Sequence, residues 1–206
     1  MEPANKLSRD NESMLEKIER MANQTPTPSM FADDANLLKI MRSRGYLYSQ
    51  KITEKTIKEL NNIALSGTSD SGDYRTGFVS VGDHWGSQPQ DVPSEMKNVI
   101  EQVNQPMPDD YQYFQVAIRA HLEILRIHPF DDGNGRASRL FLNLLLERRG
   151  RKAILLIPAD QLKYVDYINA YTILSEENGF ARNENPMQNF LLNIIVNEDE
   201  LPCSSK

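Results

Sequence analysis

The chain is poor in the features that mark several protein classes. A single cysteine among 206 residues, Cys203 in a polar tail, excludes an intramolecular disulfide framework and suits a reducing compartment. No apolar run approaches the ~20 residues needed to cross a bilayer. The first residues, MEPANKLSRDNESM, lack the apolar stretch of a secretory signal peptide. The expectation is a cytoplasmic protein with no membrane partner, with secretion by a route that needs no such peptide left open. A basic excess is also missing: the formal charge is -6, the pI about 5.2, and Lys and Arg are scattered, which argues against a nucleic-acid binder. Only three histidines occur, His84, His121 and His128, and their spacing is not that of a metal-ligand set. Internal repeats and low-complexity tracts are absent.

What remains is ordinary globular material, 39% hydrophobic and 25% charged, long enough for one well-buried core and short for two. Apolar spacing predicts helices near 11–22, 32–44, 53–65, 92–104, 110–127, 136–149, 160–177 and 187–197. The Thr-Pro-Thr-Pro stretch at 25–28 closes the first, and Ile57, Leu60, Ile63 and Ala64 share a face of the third. Between them, Tyr74 to Val81 is β-branched and aromatic beside Gly77 and Gly82, which reads as a small hairpin. The cluster Glu147 to Lys152 reads as a helix C-terminus, with cations favoured by the dipole and Gly150 as the stop. The expected fold class is mostly α, a helical bundle with one small hairpin.

One segment carries chemistry. His128-Pro-Phe-Asp-Asp-Gly-Asn-Gly-Arg-Ala-Ser-Arg139 leads into a helix whose Leu140, Phe141, Leu144 and Leu145 recur on one face. Helix N-termini attract anions through unpaired N–H groups, and Gly133 and Gly135 allow close approach of the backbone. Arg136 and Arg139 stand at the wrong end of the dipole unless an anion lies between them and the backbone. The bland alternative is that they pair with Asp131, Asp132 or other acids and that Gly-Asn-Gly is only a turn. His128, Phe130 and Asp132 at fixed offsets favour a nucleotide phosphate site.

HPFDDGNGRASR matches, at every defined position, the Fic family signature H-x-F-x-(D/E)-G-N-G-R-x-x-R. Ala120 to Leu122, Ile127 and Leu140 to Gly150 resemble the helices flanking that loop, and Gly72 to Gly82 resembles the family's flap hairpin. The likeness divides the chain into an N-terminal helical segment (1–45), a Fic core (46–197) and a polar tail (198–206). It implies a protein adenylyltransferase that moves AMP from ATP, with Mg²⁺, onto a Ser, Thr or Tyr hydroxyl of a target protein. In that reading His128 is the general base and Asp132 the magnesium ligand. Gly133, Asn134 and Gly135 hold the α- and β-phosphates through main-chain N–H groups and the Asn134 amide, Arg136 grips the β-phosphate and Arg139 the γ-phosphate. Phe130 anchors the loop, and Asp131 has no role. Glycine at position 133, where a kinase-like relative carries lysine, favours nucleotidyl transfer. Thr76, Gly77, Phe78 and Val79 are the expected target-docking segment; the alternative is that Phe78 and Val81 pack on the helices. His84 and Trp85 are expected in a surface loop and His121 in the core. Tyr167 and Asn169, on a helix that also carries Tyr164 and Tyr171, are candidates for the adenine pocket, with ordinary core packing an equal alternative.

The resemblance also suggests restraint. Many relatives carry (S/T)-x-x-x-E-(G/N) on a helix whose glutamate pairs with the second signature arginine. Ser8 and Glu12 have that spacing, with Ser13 departing at the last position. A local alternative makes Ser13 to Glu16 a capping box and Glu12 a plain acid before the helix; a separate antitoxin chain is the other route to restraint, and self-association is a further partnership to expect. Removal of AMP by the same site and a non-catalytic nucleotide-sensing module are the competing functions.

Overall fold

The computed structural model describes residues 33–66, 72–81, 84–155 and 186–197. The helices expected at 11–22 and 160–177, with Ser8, Glu12, Tyr164, Tyr167, Asn169 and Tyr171, lie outside the described residues. Those that are described form a mostly helical bundle: α1 (Asp34–Ser43), α2 (Tyr46–Ser49), α3 (Glu54–Ala64), β1 (Ser80–Val81), β2 (His84–Trp85), α4 (Val92–Val103), α5 (Asp110–Ile127), α6 (Asn134–Arg148) and α7 (Pro186–Asn197).

The frame is built around α5 and α6. Helix α6 is buried on nearly every side, from Ala137 and Ser138 through Leu140 to Leu146, because α1, α2, α3 and α5 all pack on it. The sequence suggested a single apolar face. A helix apolar all round is one that neighbours enclose, and LFLNLLL fits that better than a surface stripe. Even the polar Asn143 is used inside: its amide pairs with both backbone groups of Ile154, 2.6 and 3.2 Å away. Helix α3 buries the expected Ile57, Leu60, Ile63 and Ala64 against α6, and carries a fully buried Asn61 on the same side.

The helix ends follow the sequence. Asp109 caps α5 by accepting from the Gln112 N–H at 2.7 Å. Helix α6 ends at Arg148, and Gly150 just beyond its cap takes the left-handed conformation (φ 77°) and donates to the Glu147 carbonyl. The basic residues at this helix end are stapled down: Arg149 bonds Asp110 at 2.6 Å and Arg148 the Gln50 carbonyl at 2.7 Å.

The hairpin lies further along the chain than expected. Residues 74–79 form an arm, and pairing starts at Ser80, which sits opposite Trp85, with Val81 opposite His84. His84 and Trp85 are therefore the second strand, where the sequence reading had a loop. The readable signal was the Gly82-Asp83 dipeptide between Val81 and Trp85, a sequence of the kind hairpin connections favour.

Candidate active site

Helix α5 ends at His128, which adopts a left-handed backbone (φ 53°) and donates its N–H to Ile124. That conformation is uncommon for a residue with a Cβ and turns the chain sharply into Pro129. The ring is set by the same turn. Nδ1 lies 3.2 Å from the Leu125 carbonyl, an atom that can only accept. In the neutral imidazole Nδ1 must then carry the proton, which leaves Nε2 as the basic nitrogen. Burial holds the His128 pKa below its ordinary value; the Leu125 carbonyl opposes this, the Arg75 charge adds to it and Asp132 opposes it. Burial therefore favours the neutral ring, the form that can take a proton.

The loop after it is fixed from inside. Phe130 is wholly buried and lies against the Tyr74 ring, centroids 5.6 Å apart, as the expected anchor. Asn134 corrects the sequence reading. Its carboxamide accepts from the Phe130 N–H at 2.9 Å and donates to the Phe130 carbonyl at 2.8 Å, so the side chain is spent on loop closure and is not directed at phosphates. Gly133 opens α6 at φ 78°, and a Cβ there would lie 2.9 Å from Asn61 Nδ2 and 3.1 Å from Leu65 Cγ. Glycine is required at that position by α3 and by the backbone angle as much as by any ligand. Asn61 closes the seam, donating to the Asp132 carbonyl at 2.8 Å and accepting from the Gly72 N–H at 2.8 Å. Sequence reasoning had passed over Asn61, since a buried polar residue on an apolar helix face has no local signature.

The polar groups then converge on an open cleft of about 450 Å³, lined by Asp33, Asp34, His128, residues 131–136 and Arg139. Asp132 points into it with its side chain 76% exposed, one oxygen accepting the Gly133 N–H at 2.6 Å and the other 3.4 Å from Arg136. Arg136 is half-exposed on the first turn of α6. Arg139 is deeper: Asp34 of α1 engages it through two parallel contacts, Nε to Oδ2 at 2.7 Å and Nη2 to Oδ1 at 2.9 Å. A larger groove, about 820 Å³ between the start of α3 and α4, holds none of these groups. His121 stands apart from the cleft. It is completely buried, and burial, against a Ser138 backbone contact and with help from Arg139, pushes its pKa down to about 4, as suits a core histidine.

The predicted docking segment borders this site unevenly. Gly77 and Val79 use their carbonyls internally, on Arg75 and on the Gly86 N–H. Thr76 and Phe78 are exposed, Phe78 at 68%, so the alternative that Phe78 packs on the helices does not hold. Trp85 across the hairpin is exposed to the same 68%.

Comparison with known proteins meets the same residues. Residues 51–146 match the Fic/DOC family. A relative in Nematostella vectensis named protein adenylyltransferase Fic is 31% identical over 134 residues, covering 64% of this chain and 31% of its own length. One of the same name in Aedes aegypti is 34% identical over 119 residues, covering 57% and 24%. The chain thus spans about a third or less of these relatives. Two solved structures share the fold. A Fic domain containing signalling protein from Bacteroides thetaiotaomicron superposes with a TM-score of 0.57 at 22% identity, over 82% of this chain and 66% of that one. The N-terminal Fic domain of Bep8, a VirB-translocated effector from Bartonella sp. 1-1C, gives 0.63 at 14%, over 89% and 92%. The loop, its helical frame and the family match all fall on the same stretch, and over residues 51–146 this chain is similar to the Fic/DOC family.

Proposed function

We propose that the chain is a protein adenylyltransferase, transferring AMP from ATP to a hydroxyl side chain of another protein. One observation carries the reading: the neutral His128 holds its proton on Nδ1, leaving Nε2 basic in a cleft that also contains a helix N-terminus and two arginines. Nε2 takes the proton as the target oxygen forms its bond to the α-phosphorus and the bond to pyrophosphate breaks. Because the displaced group leaves as an anion, stabilisation falls to the start of α6, Arg136 and Arg139. Gly133, Asn134 and Gly135 contribute through main-chain N–H groups, and the Asn134 side chain supports the loop from beneath.

The residues fit Mg²⁺ bound together with the nucleotide. Asp132 is an exposed hard oxygen donor, and magnesium commonly takes one or two carboxylates with phosphate oxygens and water. Among the described residues no three acidic, His or Cys groups converge into a cage, so the phosphates would complete the shell.

The site is proposed to be held in restraint. Asp34 occupies the arginine assigned to the γ-phosphate, and a nucleotide that uses Arg139 must displace it. Glu12 remains a proposed second carboxylate for the same arginine. The reaction is tested by incubating the chain with ATP and Mg²⁺ in a cell extract and looking by mass spectrometry for AMP on protein hydroxyls. Adducts present with wild type and absent with His128→Ala support the reading; identical adduct levels in both sink it.

A further inference from the structure

Arg75 is buried to 2% exposure at the root of the hairpin, and among the described residues no carboxylate pairs with it. Its guanidinium is spent on main-chain oxygens: Nε donates to the His128 carbonyl at 2.6 Å, Nη1 to Gly77 at 2.7 Å, and Nη2 to Ser87 and to Ile127 at 2.5 and 3.1 Å. Its own N–H donates to the Pro129 carbonyl at 2.9 Å. Two of the four side-chain acceptors close helix α5 around the base, and two belong to the two arms of the hairpin. Burying a cation without a counter-ion is costly, and carbonyls at a helix C-terminus, where the dipole is negative, offset that cost. A planar fork is needed to reach four oxygens; an ammonium presents all its donors from one point.

Gly86 completes the junction from the other arm. A Cβ there would lie 3.0 Å from Arg75 Nη2, 3.1 Å from His128 Cβ and 3.1 Å from the Ile127 carbonyl. The neighbouring Ser87 is itself fixed, its N–H on Ile127 at 3.2 Å and its hydroxyl on Glu95 at 2.8 Å, with Arg126 joining Glu95 and Glu123 behind it.

We propose that Arg75 is a positioning residue for the reaction: seated against Gly86, it ties the hairpin to the backbone of His128, so that target docking and the orientation of the base are one mechanical unit. It acts through His128 and touches no substrate. The charged groups facing His128 are Arg75 and Asp132, and those facing Arg75 are Asp131 and Glu95. The left-handed turn at His128 is the strained element that the clamp maintains, and the turn sets the proton on Nδ1.

This inference rests on His128 being the base, so the test includes a readout that needs no turnover. Nitrogen-15 spectra of the histidines in the nucleotide-free protein, with His128 assigned by its loss in His128→Gln, report tautomer and titration. In Arg75→Lys, which keeps the charge and loses the fork, the His128 tautomer is expected to shift toward the Nε2–H form favoured in free histidine. Transfer of labelled AMP should fall about 100-fold, the scale of a misplacement near 1 Å, with ATP affinity changed by less than about twofold. Gly86→Ala, which keeps the arginine but crowds its Nη2, should give the same pair of changes if Arg75→Lys does not fold. A folded Arg75→Lys or Gly86→Ala with the wild-type tautomer and turnover overturns the proposal, as does an equal loss of ATP affinity and turnover. If wild type transfers no AMP, the function is wrong, and the tautomer still decides whether Arg75 sets the ring.

Discussion

The signature loop and the hairpin meet at His128, yet they are built on opposite plans. In the loop nearly every polar group has a partner inside the loop or in the helices beneath: Asn134 on Phe130, Asn61 on Asp132, Gly133 on Asp132. Among the described residues the hairpin is fastened at its root, by Arg75 and Ser87, while Phe78 and Trp85 stand in solvent. Chemistry that must recur identically with every substrate benefits from a site held within a fraction of an ångström, whereas docking of varied chains benefits from adaptable surface. If this division is correct, changes in the loop should damage turnover or stability, and changes at the exposed aromatic side chains of the hairpin and its arm should damage only recognition.

The largest effect is expected at His128. His128→Ala should lower AMP transfer by about a thousand-fold while ATP affinity, measured by calorimetry, changes by less than about twofold, since the phosphate grip belongs to the loop and arginines. In wild type the pH profile should agree. The base works unprotonated and its pKa is held below the ordinary histidine value, so the rate should be level around pH 7 and fall only as pH drops through that lowered pKa. A rate still climbing between pH 7 and 8 would mean a different group takes the proton.

Next comes Asn134. Asn134→Ala strips two hydrogen bonds from the buried Phe130 backbone, and unsatisfied buried groups cost about 1–3 kcal/mol each, so the denaturation midpoint should fall markedly along with activity. If stability is unchanged and only ATP affinity drops, the side chain faces phosphate after all, and the loop is less self-contained than the comparison holds.

The contrast also accounts for what could be read in advance. The loop is contiguous, so twelve neighbouring residues announce themselves, and the helices around it follow from apolar spacing. Which atoms of Asn134 face which way is not written in a motif, because one amide can serve a ligand or its own turn. Arg75 and Asp34 stayed hidden for another reason: each acts across a long stretch of chain, and nothing local shows that an arginine is buried or which acid lies opposite Arg139. The Ser8–Glu12 spacing offered a partner for that arginine, whereas Asp34 carries no such pattern.

Asp34 supplies the third test. With side chains 9% and 16% exposed, the Arg139–Asp34 pair is shielded enough for its charge to matter. Asp34→Asn keeps the shape and removes the charge, and should raise nucleotide affinity and AMP transfer roughly tenfold, a value within the range of one charge-assisted contact. Glu12→Gly made alongside it apportions the restraint: a rise in Glu12→Gly alone would place control on the N-terminal segment, and no rise in either variant would leave Arg139 unrestrained by this chain.

The smallest effect is expected at the exposed Phe78 of the hairpin arm, and it probes the division most finely. Phe78→Ala removes a side chain that is already 68% exposed, so little apolar burial is lost and the shift in stability should stay within about 0.5 kcal/mol. Its ring stands on the same small hairpin as Trp85, and exposed aromatics of this kind are the residues that binding surfaces use as anchors. Transfer to protein targets should therefore fall through a several-fold higher KM, about 1 kcal/mol, with kcat and ATP affinity preserved. A drop in kcat at unchanged KM would show that the exposed arm, like the root, reaches the base through Arg75, and the hairpin with its arm would have to be regarded as part of the catalytic frame.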